Sequence, residues 1–133
     1  MGIYMTPNTK QVGGTHYQTG ATQHWDIAAM LYGETHFKCT ATKYVSRWRK
    51  KAGVQDLEKA KHYLEKLGEI ANWSDLEDRL SVGTVVAIMG MELDLVDSEL
   101  IIRIFEATDV SDLKACIQSI DTLIAGQTAA KPA

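Results

Sequence analysis

A row of basic residues near the middle of the 133-residue sequence points most directly to chemistry. Lys43, Arg47 and Lys50 are spaced four and three residues apart, with Arg49 and Lys51 beside them. In a helix this spacing puts the side chains on one face, where like charges destabilise the helix slightly. We therefore predict that the row binds an anion, with phosphate as the first candidate. The alternative is a solvated face near a helix C-terminus, where the helix dipole favours cations.

A glycine-rich turn upstream supplies a second set of candidates. Gly13 and Gly14 directly precede Thr15, His16 and Tyr17. Glycines tolerate close backbone approach, so such a turn can offer N–H groups to an anion. His16 and Tyr17 lie outside any apolar pattern, which favours a polar role over packing. The alternative is a flexible turn without a ligand.

The segment after the basic row adds one acidic and one basic candidate. Asp56 is predicted to be the N-cap of the next helix, with pairing to a basic residue across the hairpin as an alternative. Lys59 follows one turn later and can add a cation to the same site. Tyr44 and Tyr63 lie on or beside apolar stripes, which favours core positions over stacking platforms.

The charge distribution supports a basic site in the middle of the chain. Lys and Arg outnumber Asp and Glu by nine to three in residues 38–66, although the whole chain has a net charge of −3. Residues 67–133 have the opposite balance, four to twelve, and residues 1–37 are nearly neutral. An anionic ligand should therefore bind within 38–66, whereas the acidic remainder would repel a long polyanion such as nucleic acid.

The apolar spacing predicts a mostly α fold. We expect a small helical domain built on an antiparallel helix hairpin, about 35–52 and 56–72, with Gly53 in the turn between them. A first helix should run from Thr22 to Gly33, with Trp25, Ala28, Ala29 and Tyr32 on its apolar face. The segment before it is predicted to be a loop arm.

The C-terminal half is expected to add further helices. A capping box at 74–77 predicts a short helix, and the apolar segment 82–95 fits a buried helix or a strand pair, of which we favour the helix. Asp97 and Ser111 are the candidate N-caps of the last two helices, and Gly126 is the expected end of the final one.

Composition places these helices in one domain, 1–126, followed by a disordered tail, 127–133. The chain has 45% hydrophobic and 23% charged residues, as globular proteins do, and no predicted membrane span or signal peptide. Its two cysteines and four histidines lack the spacing of a zinc site, so we expect no metal. A reducing, cytoplasmic location is the natural expectation.

A family resemblance rests on an ordered series of motifs. These are Gly13-Gly14-Thr15-His16-Tyr17, Trp25-Asp26-Ile27, Ala41-Thr42-Lys43-Tyr44 with Arg47 and Lys51, Asp56-Leu57-Glu58-Lys59-Ala60, and Tyr63-Leu64. Together they cover about residues 12–67 and resemble the SaV-like phage family, which includes a nucleotide kinase without a P-loop. The resemblance implies that the family's characteristic residues lie at His16, Tyr17, Lys43, Arg47 and Asp56 to Lys59.

Residues and resemblance together predict a nucleotide-binding site. Its candidate residues are Gly14, Thr15, His16, Tyr17, Lys43, Tyr44, Arg47, Lys50, Lys51, Asp56 and Lys59. The first functional hypothesis is a phage protein that sequesters a nucleotide immune signal in the host-cell cytoplasm. The second is a nucleoside monophosphate kinase, which would need ATP and Mg²⁺. The third is a nucleic-acid-binding protein. No Gly-x-x-x-x-Gly-Lys-Ser/Thr or Gly-x-Gly-x-x-Gly motif is present. The apolar excess of 82–105 also predicts a homo-oligomer.

Overall fold

The computed structural model describes residues 22–73 and 79–130, and these parts are helical without strands. Their helices are α1 (His24–Tyr32), α2 (Glu34–Arg47), α3 (Val54–Ile70), α4 (Val82–Met89), α5 (Leu95–Glu106) and α6 (Val110–Ala130). The predicted mostly α class is confirmed. The candidate residues Gly14, Thr15, His16 and Tyr17 lie outside the described residues, and so does the capping box at 74–77.

The predicted antiparallel hairpin is formed by α2 and α3. At one end the carboxylate of Glu34 accepts a hydrogen bond from the Asn72 backbone N–H at 2.8 Å. At the other end Arg47 meets Asp56 at 3.2 Å. The start of α2 therefore lies beside the end of α3, and the basic row lies beside the first turns of α3.

The core lies where the hairpin packs against the C-terminal helices. α3 packs against α6, α2 packs against α5, and α1 covers α2, while α4 packs on α5. The fully buried large apolar side chains come from α2, α3, α5 and α6, and they are Phe37, Val45, Leu57, Leu64, Leu67, Leu100, Ile104 and Ile120. Gly68 permits the close approach of α3 and α6, because a Cβ there would lie 2.8 Å from a Leu113 methyl group.

The hairpin boundaries differ from the predicted ones. α2 ends at Arg47 instead of 52. The chain continues through hydrogen-bonded turns, in which the backbone N–H groups of Lys50 and Lys51 both donate to the Arg47 carbonyl. α3 begins at Val54, so the prediction that Asp56 is its N-cap was wrong. The Asp56 side chain reaches back instead and accepts from the Ala52 backbone N–H at 3.1 Å.

Two other helix starts were also predicted at the wrong residue. Asp94, and not Asp97, caps α5, and its carboxylate accepts from the Val96 backbone N–H at 2.9 Å. At the start of α6 the Asp109 carboxylate accepts from the Asp112 backbone N–H at 2.7 Å, a role that we predicted for Ser111. Several Asp and Ser residues lie near each helix start, and the local sequence does not distinguish which of them is the N-cap.

Some apolar and helix-ending expectations were wrong as well. Tyr32 is 67% exposed, because the short α1 buries only Trp25 and Ala28 of its apolar face. α6 continues through Gly126 to Ala130, so residues 127–130 are helical and not the expected disordered tail. Gly126 lacks the positive φ with which glycine ends a helix. The helix favoured within 82–95 is confirmed for Val82–Met89, but the expectation that it is buried was wrong, because Ile88 is its one buried residue.

Gly53 should be hard to replace, because it reverses the chain between α2 and α3 with φ +62° and ψ −130°. L-residues with a Cβ rarely adopt this conformation. Gly53→Ala is expected to lower the free energy of unfolding by about 1–3 kcal/mol in urea denaturation. Gly126→Ala is the matched control, since its Cβ meets no atom within 4 Å and alanine favours a helix, so this variant should be as stable as the parent or more so. Equal stability of the two variants would contradict a strained turn at Gly53.

Candidate phosphate-binding site

The ring of Tyr44 is the centre of a cluster of cations on the hairpin. The Arg47 guanidinium carbon lies 4.8 Å from the ring centroid, the Lys43 Nζ 5.5 Å and the Lys59 Nζ 5.6 Å. A cation over an aromatic ring is held by the negative face of the ring. The structure thus brings three predicted cations, two from α2 and one from α3, around one side chain. We call Lys43, Tyr44, Arg47 and Lys59 the Tyr44 cluster.

Asp56 is the carboxylate that pairs with Arg47 of the cluster. It is fully buried, and its Oδ1 accepts from Arg47 Nη2 at 3.2 Å while its Oδ2 accepts from the Ala52 backbone N–H. The alternative of pairing across the hairpin is therefore confirmed. Among the described ion pairs, the Arg47–Asp56 pair is the one that reaches this cluster, and no carboxylate of the described residues pairs with Lys43 or Lys59.

Arg47 has unused hydrogen-bonding capacity. Its side chain is 36% exposed, but its Nε is buried and finds no acceptor within the described chain. A buried donor without an acceptor costs stability, because it has lost its bond to water. Because Nε itself is closed to solvent, an oxyanion would bind the exposed part of the Arg47 guanidinium.

The remaining basic residues of the row separate into two groups. Lys50 and Lys51 are exposed on the turn after α2, close in sequence to Arg47, and they are not among the described cations that lie over the Tyr44 ring. Arg49 points to the other side of the hairpin and donates to Asp97 of α5 at 2.7 Å and 3.2 Å. The hydrogen bond to Asp97 and its negative charge raise the pKa of Arg49. Arg49 is thus a structural link between α2 and α5.

Aromatic side chains extend from Tyr44 towards the core. Tyr63 lies 6.1 Å from Tyr44, 5.8 Å from Phe37 and 5.5 Å from Trp25, measured between ring centroids. Both tyrosines are half-buried and pack against the hydrophobic core, which confirms the core interpretation. Burial, together with the charge of His24, lowers the pKa of His36 at the edge of this row. The Tyr44 ring combines core packing with cation contacts, which periodicity alone did not reveal.

A concave region apart from the Tyr44 cluster lies between α5 and the start of α6. Its volume is about 420 Å³, and its lining includes Arg79, Arg103, Glu106, Asp112 and Cys116. The two carboxylates are engaged: Glu106 accepts from the Leu80 backbone N–H, and Asp112 accepts from Thr108. Cys116 is buried, and this burial raises the pKa of its thiol. The cleft has a mixed charge and is less suited to phosphate than the Tyr44 cluster.

A buried lysine near this cleft has a structural role that the sequence did not suggest. Lys38 donates to the backbone carbonyls of Phe105 and Ala107, at 2.9 Å and 2.8 Å. These carbonyls lie at the end of α5, where backbone acceptors lack helical partners. Burial lowers the pKa of Lys38, partly offset by the charges of Glu34, Cys116 and Asp112. Lys38 therefore joins α2 to α5 and is not available to a ligand.

Fold and site define a small helical protein with a cationic cluster on a helix hairpin. In the comparisons with known proteins, residues 12–65 match the model of a family described as a protein of unknown function, DUF3310. That segment contains the Tyr44 cluster and Asp56, but it is less than half of the chain. No curated protein and no solved structure matches the chain.

Residues 22–73 and 79–130 contain neither a group of metal-ligating side chains nor a membrane-spanning helix. In these segments no three His, Cys, Asp or Glu side chains lie together as potential metal ligands. None of their helices has the length and apolar character needed to cross a membrane.

Proposed function

We propose that the protein binds a phosphorylated nucleotide at the Tyr44 cluster. The observation that carries the proposal is the convergence of Lys43, Arg47 and Lys59 on one aromatic ring, where Asp56 is the one carboxylate of the described residues that pairs with any of them. Phosphate oxygens accept charge-assisted hydrogen bonds from Lys and Arg, and the planar Arg guanidinium can bind two oxygens at once. The resemblance to SaV-like phage proteins also supports a nucleotide ligand.

We further propose that the protein sequesters its ligand, as a sponge for a nucleotide signal of host immunity. A kinase needs carboxylates to hold Mg²⁺ or to position a reactant near the transferred phosphoryl group. Asp56 lies close to the cluster, but it is fully buried and both its oxygens already accept hydrogen bonds. This engagement favours binding over phosphoryl transfer. A nucleoside monophosphate kinase is the second candidate, because the SaV-like family that the sequence resembles includes a nucleotide kinase without a P-loop.

Removal of the two lysines of the Tyr44 cluster tests the binding site. Lys43→Gln/Lys59→Gln should weaken nucleotide binding about 10-fold to 100-fold in calorimetry, because two charge-assisted contacts are lost. The probes are nucleoside monophosphates, nucleoside triphosphates and cyclic dinucleotides. Thermal stability should change little, since neither lysine pairs with a carboxylate in residues 22–73 and 79–130. Lys114→Gln is the matched control, because this exposed lysine of α6 lies outside the cluster. Unchanged affinity in the folded double variant would exclude the Tyr44 cluster as the site.

Sequestration and catalysis differ in what happens to the bound nucleotide. We expect a nucleotide recovered by denaturing the loaded protein to have its original mass, even after incubation with ATP and Mg²⁺. Mass spectrometry of the released ligand and chromatography of the reaction mixture measure this directly. A nucleoside diphosphate formed from a monophosphate, in proportion to protein concentration, would establish the kinase instead.

A further inference from the structure

α4 buries very little of its apolar surface. Of its residues Val82–Met89, Ile88 is the one that is buried. Val82, Val86 and Met89 are spaced four and three residues apart, so they share one face, and they are 81%, 63% and 46% exposed. Apolar side chains in such a row normally face a core or a partner.

The exposed face continues into the start of α5. Met91, Leu95 and Val96 are 51%, 68% and 53% exposed. We call this set with Val82, Val86 and Met89 the α4–α5 apolar face. With ordinary side-chain areas it exposes on the order of 600 Å², at the upper end for the largest apolar patch of a monomer. A standard protein interface buries about 800 Å² on each partner, so the face supplies about three quarters of the area of a standard dimer contact.

The sequence of α4 gives the helix little stability of its own. It contains three valines, a threonine and a glycine in eight residues, and these residue types have low helix propensity. Isolated helices of this length are marginal in water, so they depend on packing. Among the described elements α4 packs on α5, and its outer side is left to solvent. A second packing surface would remove this apolar area from water and stabilise the helix.

We propose that the α4–α5 apolar face is the contact between two copies of this chain. The six side chains carry no charge, so the face can meet itself across a two-fold axis without like-charge repulsion. At its edge lies an ion pair between Arg49 and Asp94, 3.8 Å apart and about two-fifths exposed on each side. Such a pair offers both signs of charge to the same pair on the other copy. Because Arg49 adjoins the turn that follows the Tyr44 cluster in sequence, dimerisation brings the two hairpin tips towards the interface.

Charge placed on the face tests the dimer. In sedimentation equilibrium the parent protein should give about twice the 14.7 kDa chain mass at micromolar concentration. Val86→Lys and Leu95→Lys should each raise the dimer dissociation constant about 100-fold or more, because a charge is buried without a partner. Met91→Lys should have the same effect, and it lies in the turn between the two helices, so helix stability is unaffected. Circular dichroism establishes that each variant is folded.

The matched control is Met30→Lys, on the equally exposed apolar side of α1. Met30 is 82% exposed and lies on another helix, so the control should remain a dimer. A parent protein of monomer mass at roughly 100 µM would overturn the proposal, because the proposed dimer forms at micromolar concentration. It would also be overturned if Met30→Lys separated the copies while Met91→Lys did not, because the contact would then be on α1. Neither result depends on nucleotide binding.

Discussion

Asp56→Ala should lower the free energy of unfolding by about 2–4 kcal/mol, which corresponds to a melting temperature lower by roughly 7–15 °C. Asp56 is fully buried, and its loss leaves the Ala52 N–H and the Arg47 guanidinium without their acceptor. Removing one partner of a buried ion pair is costly, because the remaining charge stays desolvated without an opposite charge to compensate it. The partial exposure of Arg47, 36%, keeps the effect below that of a fully buried pair.

Two further variants show which contact of Asp56 dominates. Asp56→Asn keeps the side-chain size and one oxygen that can accept from Ala52, so it should cost less than alanine. Arg47→Ala/Asp56→Ala should cost less than the sum of the two single variants, because it leaves no unpaired charge. Additive effects in urea denaturation would mean that the pair contributes nothing beyond its separate contacts.

Arg47→Ala should weaken nucleotide binding about 10-fold to 150-fold, the loss of one strong charge-assisted contact of about 1.5–3 kcal/mol. From sequence alone we expected this variant to leave the fold intact. The ion pair with Asp56 changes that expectation, because the alanine variant leaves a buried carboxylate alone. Affinity should therefore be measured by calorimetry at a temperature well below the melting transition of the variant.

Arg47→Lys separates the two roles of the arginine. Lysine keeps the positive charge beside Asp56 but lacks the planar fork that binds two oxygens. We expect this variant to recover most of the lost stability and to remain weaker than the parent in binding. If it restores affinity fully, the site needs only a point charge, and two-point recognition of phosphate by Arg47 would be wrong.

The helical hairpin could be predicted because its pattern is local. Apolar side chains repeat along α2 and α3, and a glycine separates the two segments, so element type and pairing follow from neighbouring residues. The approach of Lys43, Arg47 and Lys59 follows from the same pattern, because a short turn places the end of one helix beside the start of the next. Tyr44 was among the candidate site residues, but its apolar spacing favoured a core position, because periodicity does not show that a half-buried ring also faces cations.

The contacts that could not be predicted join residues far apart in sequence. Arg49 appeared to belong to the basic row, but Asp97 of α5 binds it and also accepts from the Trp48 indole N–H at 3.2 Å. Asp97 was taken for a helix cap, because an isolated sequence does not show that a carboxylate is 2% exposed between two helices. Lys38 is similar, since its two carbonyl partners lie 67 and 69 residues away.

The two thiols differ in a way that makes the parent protein suitable for fluorescent labelling. Cys39 is exposed on α2, whereas Cys116 is buried with a raised pKa and therefore has little of the reactive thiolate. A maleimide dye at neutral pH should thus attach at Cys39 alone while the protein is folded. Cys39 lies one helical turn before Lys43, which puts the dye on the side of α2 next to the Tyr44 cluster. Binding of a ligand there would change the emission of the dye without any substitution in the chain.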